Sequence, residues 1–138
     1  LAQTAVRETL EEVGLDLNLA AEQLGFLDEL QARARGNILP MAIQPISFAL
    51  NNQQHPPLRN NEEVDSTFWF PVHRLPDPAL RTYVDAERAS HPMSFPGADL
   101  GEHGVLWGLT WMMVVEVLHR LGVIPEVQPL VVPKQRGT

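Results

Sequence analysis

The chain has 138 residues, of which 44% are hydrophobic and 20% charged, a composition typical of a globular domain with a buried core. Its 17 acidic and 10 basic residues give a formal net charge of −7, which argues against binding to a nucleic-acid backbone, since such proteins normally present a basic face. The absence of cysteine excludes disulfides, thiol nucleophiles, thiolate zinc sites and iron–sulfur ligation, and it fits a reducing compartment.

The sequence also predicts no membrane segment and no targeting signal. The most apolar run, Val105 to Leu118, is too short to span a bilayer and contains Glu116, so it is interpreted as a core helix. The first residues lack the basic and apolar regions of a signal peptide, which favours the cytoplasm. Because the chain begins with Leu1 inside a helical pattern, we expect further residues upstream.

Apolar periodicity predicts a helix at the start of the chain, followed by strands. Residues 1–13 read as an amphipathic helix that Gly14 ends. Its apolar face contains Ala2, Val6, Leu10 and Val13. Strands are predicted over Leu24–Leu30 and Ile38–Leu50, connected through a turn at Gly36-Asn37.

A polar loop follows, and a third strand is predicted over Val64–Phe70, ended by Pro71. Residues 76–104 are expected to be irregular, with a short helix near Pro78–Arg88, and Trp107–Leu121 is predicted to be a helix closed by Gly122. The order of helix, strands and helix indicates an α+β fold, or a mixed-sheet α/β sandwich. We expect one domain over residues 1–125 and a C-terminal tail over residues 126–138.

Three carboxylates lie close together on the first predicted helix. Glu8 and Glu12 are four residues apart and Glu11 is three from Glu8, so they share an arc of about 100°. Arg7 can pair with Glu11, but Glu8 and Glu12 then face each other, and such like-charge pairs destabilise a helix by a few tenths of a kcal/mol. Clustered hard oxygen ligands suit Mg²⁺ or Mn²⁺, whereas the alternative is a solvated charged helix face.

The same residues resemble a known motif. Arg7-Glu8, Glu11-Glu12 and Gly14-Leu15 match the second half of the Nudix box, G-x5-E-x7-R-E-U-x-E-E-x-G-U, in which U is a bulky aliphatic residue. The chain is thus similar to the Nudix hydrolase superfamily, which implies an α/β/α sandwich with a mixed β-sheet. Thr9 departs from the box, which has an aliphatic residue there. The box's first third and the strands that normally precede it would lie before Leu1, so these N-terminal strands are absent from the chain.

Further segments resemble the coenzyme A pyrophosphatase branch of this superfamily, over about residues 1–121. The most telling are Glu63-Val64-Asp65 ahead of a Trp-x-Pro strand end, and Trp107-Gly108-Leu109-Thr110 at the start of the last helix. The branch signature thought to engage coenzyme A is upstream of the box and is not in this sequence. The substrate is therefore implied by the framework of the chain rather than by a pocket.

The resemblance implies Mg²⁺- or Mn²⁺-dependent hydrolysis of a nucleoside diphosphate linked to another moiety. Coenzyme A would give 3′,5′-ADP and 4′-phosphopantetheine. Glu8 and Glu12 would be the principal metal ligands, with Glu11 as a further ligand or as the partner of Arg7, and Arg7 would orient the carboxylates. A general base is expected from a loop, for which Glu62 and Glu63 are the candidates.

Other functions stay open at this point. The same enzyme class could prefer ADP-ribose, NADH or dinucleoside polyphosphates. The chain could instead be a catalytically weak or inactive Nudix-like module that binds a nucleotide or a protein, although an inactive site has no physical need for mutually repelling carboxylates. No nucleic-acid or membrane partner is expected. A sheet without its first strands would expose an edge, which predicts either a homodimer or upstream residues.

Overall fold

The computed structural model describes residues 2–34, 37–52, 54–88, 91–125 and 132–133. The helices and strands are α1 (Ala2–Val13), α2 (Leu17–Ala20), β1 (Ala21–Phe26), β2 (Leu30–Ala34), β3 (Asn37–Ile43), β4 (Ile46–Leu50), β5 (Arg81–Arg88), β6 (His91–Asp99), β7 (Val105–Trp107), α3 (Gly108–Arg120) and β8 (Val132–Pro133). Residue contacts divide the chain into two compact units. The first contains residues 1–30 and 43–70, and the second contains residues 31–42 and 71–138.

The first unit combines the two N-terminal helices with a two-stranded sheet. Strands β1 and β4 pair antiparallel, from Ala21 opposite Leu50 to Phe26 opposite Ile46. Asp16 is the N-cap residue of helix α2, and its carboxylate accepts a hydrogen bond from the backbone N–H of Asn18. The buried hydrophobic residues of this unit are Leu15, Leu17 and Leu27.

The second unit contains the β2–β3 hairpin and the sheet β5-β6-β7, in which β8 also pairs with β6. Strands β5 and β6 pair antiparallel along their whole length, from Arg81 opposite Ala98 to Arg88 opposite His91. Helix α3 contacts β6 and β7. The buried hydrophobic residues here are Leu75, Ala98, Trp111, Val115, Leu118 and Ile124.

Two prolines lie within strand β6, where proline would remove ladder hydrogen bonds. Pro92 and Pro96 lie opposite Glu87 and Tyr83 in the register with β5, whereas the β7 register begins at Gly97 and the β8 register covers Met93 and Ser94. Both prolines therefore lie outside the pairings that β6 makes on its second edge. This placement explains how a segment that reads as irregular in sequence can form a strand.

The predicted α+β class is confirmed, and so are both long helices. Helix α1 ends at Gly14, whose φ of +70° is the left-handed conformation expected there, and α3 is closed by Gly122 at φ +71°. Gly36 and the C-terminal tail, apart from Val132–Pro133, lie outside the described residues. Within the described parts of the chain, no helix has the length and apolar character needed to cross a membrane.

Several predicted boundaries in the strands were wrong. The first predicted strand begins earlier, at Ala21, and ends at Phe26, with Leu30 already in β2. The second is two strands, separated at Gln44-Pro45. The break is stabilised by hydrogen bonds at Leu27, whose N–H donates to the Pro45 carbonyl and whose carbonyl accepts from the Gln44 side chain.

The third predicted strand, Val64–Phe70, is a loop. Local hydrogen bonds replace a strand ladder, because the Asn60 side chain donates to the Asp65 carbonyl and accepts from the Thr67 hydroxyl. Asparagine side chains commonly compete with regular structure in this way. The prediction of a short helix near Pro78–Arg88 was also wrong, since a 3₁₀ turn at Pro78–Leu80 leads directly into β5.

Candidate functional site

The candidate site is built on helix α1, which carries the four charged residues of the sequence motif. Thr9 occupies the position at which the box has an aliphatic residue. Its hydroxyl donates to the carbonyl of Ala5, one turn back, at 2.7 Å. The polar atom is therefore satisfied within the helix itself, which explains how threonine is accommodated at this half-buried position.

Arg7 holds two of the three carboxylates. Its guanidinium donates to Glu11 at 2.8 Å and also to the neighbouring Glu8. The hydrogen bond from Arg7 to Glu11 is the main cause that raises the pKa of the arginine. One cation thus bridges Glu8 and Glu11, which offsets part of the repulsion expected among the three glutamates.

Glu12 is different from the other two glutamates. Among the residues that the structure describes, its carboxylate makes no hydrogen bond or ion pair, while its backbone carbonyl accepts from the N–H of Asn61 at 3.1 Å. The side chain is half-buried. A carboxylate without a protein cation beside it is the group most available to a metal ion.

A loop from the middle of the chain binds the C-terminal end of α1 in the same unit. The N–H of Arg59 donates to the Val13 carbonyl at 2.9 Å, next to the bond between Asn61 and Glu12. These two bonds satisfy carbonyls that a helix end would otherwise leave unpaired. Glu62 and Glu63 follow directly in the chain, so the loop brings both candidate bases to the end of the carboxylate helix.

The turn that carries these glutamates is itself well defined. The N–H of Glu63 donates to the side-chain oxygen of Asn61 at 2.9 Å, and Val64 N–H contacts the Asn61 carbonyl at 3.4 Å. Such an Asx turn fixes the backbone locally. Both glutamate side chains are exposed. Sequence reasoning missed Arg59 and Asn61, because backbone hydrogen bonds across 45 or more residues leave no motif.

A cavity of about 560 Å³ lies beside α1, within the first unit. Its lining includes Gln3, Val6, Arg7 and Leu10 of α1, together with Leu17 and Phe48. Because the cavity borders the predicted apolar face of the helix, that face is only partly covered, and no described residue of α1 is buried.

The residues of α1 fit a hard divalent cation by donor chemistry. Their carboxylates are accessible to solvent, with about half of the Glu8 and Glu11 side-chain surface exposed at 46% and 54%. Mg²⁺ commonly takes one or two carboxylates and completes its shell with water and substrate phosphates. In the described part of the chain, no group of three or more His, Asp or Glu side chains is gathered as a metal site. The fit therefore rests on Glu12 with Glu8, and not on an assembled cage.

Comparison with known proteins gives the family of this chain. Residues 1–90, roughly two thirds of the chain, match the family model described as NUDIX domain. The chain therefore belongs to the Nudix family, whose hydrolases act on small nucleotide substrates and generally use divalent metals such as Mg²⁺.

Among curated proteins, the chain is similar to the uncharacterized protein C14C4.10c of Schizosaccharomyces pombe (strain 972 / ATCC 24843). The two are 40% identical over 91 residues, which is 63% of this chain and 27% of that protein. The chain thus spans about a quarter of the length of this relative. No solved structure matches the chain.

Proposed function

We propose that the chain is a pyrophosphohydrolase, dependent on Mg²⁺ or Mn²⁺, that cleaves a nucleoside diphosphate linked to another moiety. The observation that carries the proposal is the division of the three glutamates on α1. Arg7 pairs with Glu8 and Glu11, while Glu12 has no protein partner in the described residues. Of the three carboxylates, that of Glu12 is therefore the one most available to a cation.

In this proposal, Glu12 and Glu8 hold the cation, and Glu11 either adds an oxygen or anchors Arg7. The bound metal would offset negative charge on the diphosphate oxygens and orient the leaving group. Arg7 does not contact the substrate; its two hydrogen bonds hold the orientations of Glu8 and Glu11. Mutation of a residue that orients metal ligands in this way commonly lowers metal affinity or activity by about 10- to 100-fold.

Glu63 is proposed as the general base, with Glu62 as the alternative. The base must accept a proton from the water that attacks phosphorus, which requires a carboxylate close to the metal. The supporting observation is the hydrogen bond between Asn61 and Glu12, which ties the turn of Glu63 to the carboxylate helix. Glu63→Gln should lower kcat without abolishing Mn²⁺ binding, and Glu62→Gln provides the comparison at the adjacent position.

Coenzyme A or one of its derivatives is the proposed substrate, with 3′,5′-ADP and 4′-phosphopantetheine as the products. The support is the order of segments that resembles the coenzyme A pyrophosphatase branch, including Trp107–Thr110 at the start of α3. Hydrolysis of coenzyme A, ADP-ribose, NADH and a dinucleoside polyphosphate should be compared at equal concentrations. A clear preference for ADP-ribose would overturn the coenzyme A assignment while leaving the class of reaction unchanged.

The central test is Glu12→Gln, which keeps the size of the side chain and removes its charge. If Glu12 is a metal ligand, turnover should fall by at least ~100-fold, the upper end of effects seen for residues that act only through a ligand. Glu22→Gln, on β1 in the same unit, is the matched control and should leave turnover unchanged. If Glu12→Gln retains full turnover and simply stabilises the fold, the carboxylates have no catalytic role.

A second candidate function is a Nudix module that binds a nucleotide or protein without hydrolysing anything. It is favoured by the lack of an assembled group of three metal-binding side chains in the described residues. Binding of a nucleotide with no Mg²⁺- or Mn²⁺-dependent turnover of any substrate in the panel would support this alternative.

We also propose that the functional unit is one Nudix domain over residues 1–125, with residues 126–138 as a tail, acting in the cytoplasm. The family match over residues 1–90 supports this extent, because it includes segments of both compact units. Removal of residues 126–138 should leave turnover unchanged. A loss of activity on truncation would contradict this assignment of the tail.

A homodimer is proposed from the sheet of the first unit. Strands β1 and β4 form a two-stranded sheet in the described residues, which leaves an outer edge on each strand, and such edges favour pairing with another chain. Sedimentation at increasing protein concentration should show a dimer, and a monomer at all concentrations would contradict the proposal.

A further inference from the structure

Arg81 begins strand β5 and lies in a row of residues that runs across the second unit's sheet. It is directly opposite Ala98 of β6, which is opposite Leu106 of β7. Residues directly opposite one another on paired strands project their side chains from the same face. The Arg81 guanidinium carbon lies 4.8 Å from the centre of the Trp111 ring, so this is the face on which α3 packs.

Two nitrogen donors in the contacting side chains of Arg81 and Trp111 make no hydrogen bond within the described residues. Arg81 Nη1 and Trp111 Nε1 are both buried and make no hydrogen bond, and they are the two such side-chain atoms found in the described residues. Trp111 is 3% exposed, so its indole N–H has no access to bulk water. A buried donor without an acceptor destabilises the fold, and more strongly when the group is charged. Two such donors in contacting side chains are suited to an acceptor from outside the chain.

A negatively charged acceptor suits this pair of side chains. No carboxylate pairs with Arg81 among the described residues, and burial lowers the pKa of its guanidinium, an effect that the nearby Tyr83 opposes. The cation–π contact with Trp111 stabilises the guanidinium in part but supplies no hydrogen-bond acceptor. The site thus contains a partly desolvated cation and a neutral donor, both of which can bind an anion.

The start of helix α3 adds to this electropositive character. Trp111 lies at the fourth position of α3, and side chains on a helix lean toward its N-terminus. The first backbone N–H groups of a helix are unpaired and favour negative charge, and the cap residue Trp107 makes no side-chain capping bond. The Trp111 side chain therefore leans toward the end of the helix that attracts anions.

We propose that the Arg81 guanidinium and the Trp111 indole N–H form an oxyanion-binding subsite, which takes a phosphate group. An oxyanion offers several acceptor lone pairs and a negative charge, which match the chemistry of the two donors. Arginine is well suited to this role because its planar fork of N–H groups matches phosphate geometry. The subsite is independent of the proposed hydrolysis, since it involves neither the metal nor the carboxylates of α1.

The test is a titration of the intact chain with inorganic phosphate, followed by ¹⁵N–¹H NMR of the tryptophan indoles at constant ionic strength. The chain has three tryptophans, and Trp111→Phe identifies the signal of Trp111. We expect the Trp111 signal to shift saturably with phosphate and not with chloride, while the signal of exposed Trp69 stays in place. Titrations with AMP and adenosine then show whether the anion belongs to a nucleotide. If AMP binds more tightly than both adenosine and inorganic phosphate, the site takes the phosphate group of a nucleotide. If AMP and inorganic phosphate bind equally, the site takes free phosphate.

Charge-matched variants separate this subsite from general electrostatic effects. Arg81→Gln should weaken phosphate binding about 10- to 100-fold, the range expected for loss of a charge-assisted hydrogen bond. Arg120→Gln removes the same charge from the far end of α3, where Arg120 pairs with Glu116, and should not change binding. If Arg81→Gln does not fold, Arg81→Lys retains the cation and should bind phosphate more weakly than the wild type.

Three results would overturn the subsite. The first is a Trp111 signal that does not respond to phosphate. The second is an equal response to chloride, which would show general screening. The third is cross-relaxation between the indole N–H and a bound water that phosphate does not displace, which would show that water satisfies the two donors.

Discussion

Replacement of Gly14 by alanine tests the connection between the carboxylate helix and the loop of Glu63. Gly14 has a φ of +70°, a conformation that costs an L-residue about 1–2 kcal/mol. An added Cβ would lie 3.4 Å from Arg59 Nε and 3.5 Å from Arg59 Cβ, which are ordinary contact distances. Almost all of the expected cost is therefore the backbone conformation, and Gly14→Ala should lower the melting temperature by roughly 2–8 °C.

Gly122→Ala is the matched control for this change. Gly122 ends α3 with a φ of +71°, and an added Cβ there would meet no atom within 4 Å. Both variants should lose similar stability, but in Gly14→Ala relaxation of the backbone should also disturb the bond from Arg59 to the Val13 carbonyl. Displacement of a positioning loop by about 1 Å can cost up to ~100-fold in rate.

The assay is thermal unfolding of both variants by circular dichroism, together with kcat/KM for the best substrate of the panel well below the melting transition. We expect a loss of kcat/KM in Gly14→Ala and none in Gly122→Ala. Gly14→Asn should recover part of both properties, because asparagine tolerates the left-handed region. Wild-type stability in Gly14→Ala would refute the conformational argument, and equal rate losses in the two alanine variants would refute the coupling between helix and loop.

Three further predictions concern stability. Gly97→Ala should be more destabilising than Gly122→Ala, because the new Cβ would lie 2.5 Å from the Leu106 carbonyl oxygen and overpacking costs about 1–3 kcal/mol or more. Chemical denaturation measures the free energy of unfolding of both variants, and an unchanged value for Gly97→Ala would show that β7 moves freely. Leu118→Ala should lower the free energy of unfolding by about 2–5 kcal/mol, because Leu118 is 1% exposed. Leu121→Ala should change it by no more than about 0.5 kcal/mol in the same experiment, because Leu121 is 60% exposed. Thr9→Val should leave both stability and turnover close to wild type, since the hydroxyl bonds within its own helix; a large loss of activity would mean that the hydroxyl has a further role.

The helices were predictable because their signals are local. The apolar spacing of residues 1–13 and the glycine that follows are contained in one short stretch, and the structure places α1 and its end at Gly14 as expected. The pairing of Arg7 with Glu11 was also expected from their spacing of four residues. Its second bond, to Glu8, depends on the arginine's side-chain conformation and could not be inferred from spacing.

The strands were less predictable because their stability depends on partners that are distant in sequence. Residues 64–70 have the composition of a strand, yet Asn60 and Asn61 bind the backbone locally and keep the segment as a loop. Residues 91–99 contain two prolines and read as irregular, yet residues 91–98 pair with β5. In both cases, a nearby side chain or a neighbouring strand outweighed intrinsic propensity.

By itself, the sequence determined the class of the fold and the residues of the carboxylate helix, because helix periodicity and the spacing of charged residues are properties of neighbouring positions. The tertiary structure alone decided what meets this helix and what remains unpaired. Arg59 and Asn61 reach the end of α1 through backbone groups, which are the same in every residue and leave no signature in a sequence. The contact of Arg81 with Trp111, and the two donors left without an acceptor, likewise arise when a strand and a helix 30 residues apart pack together.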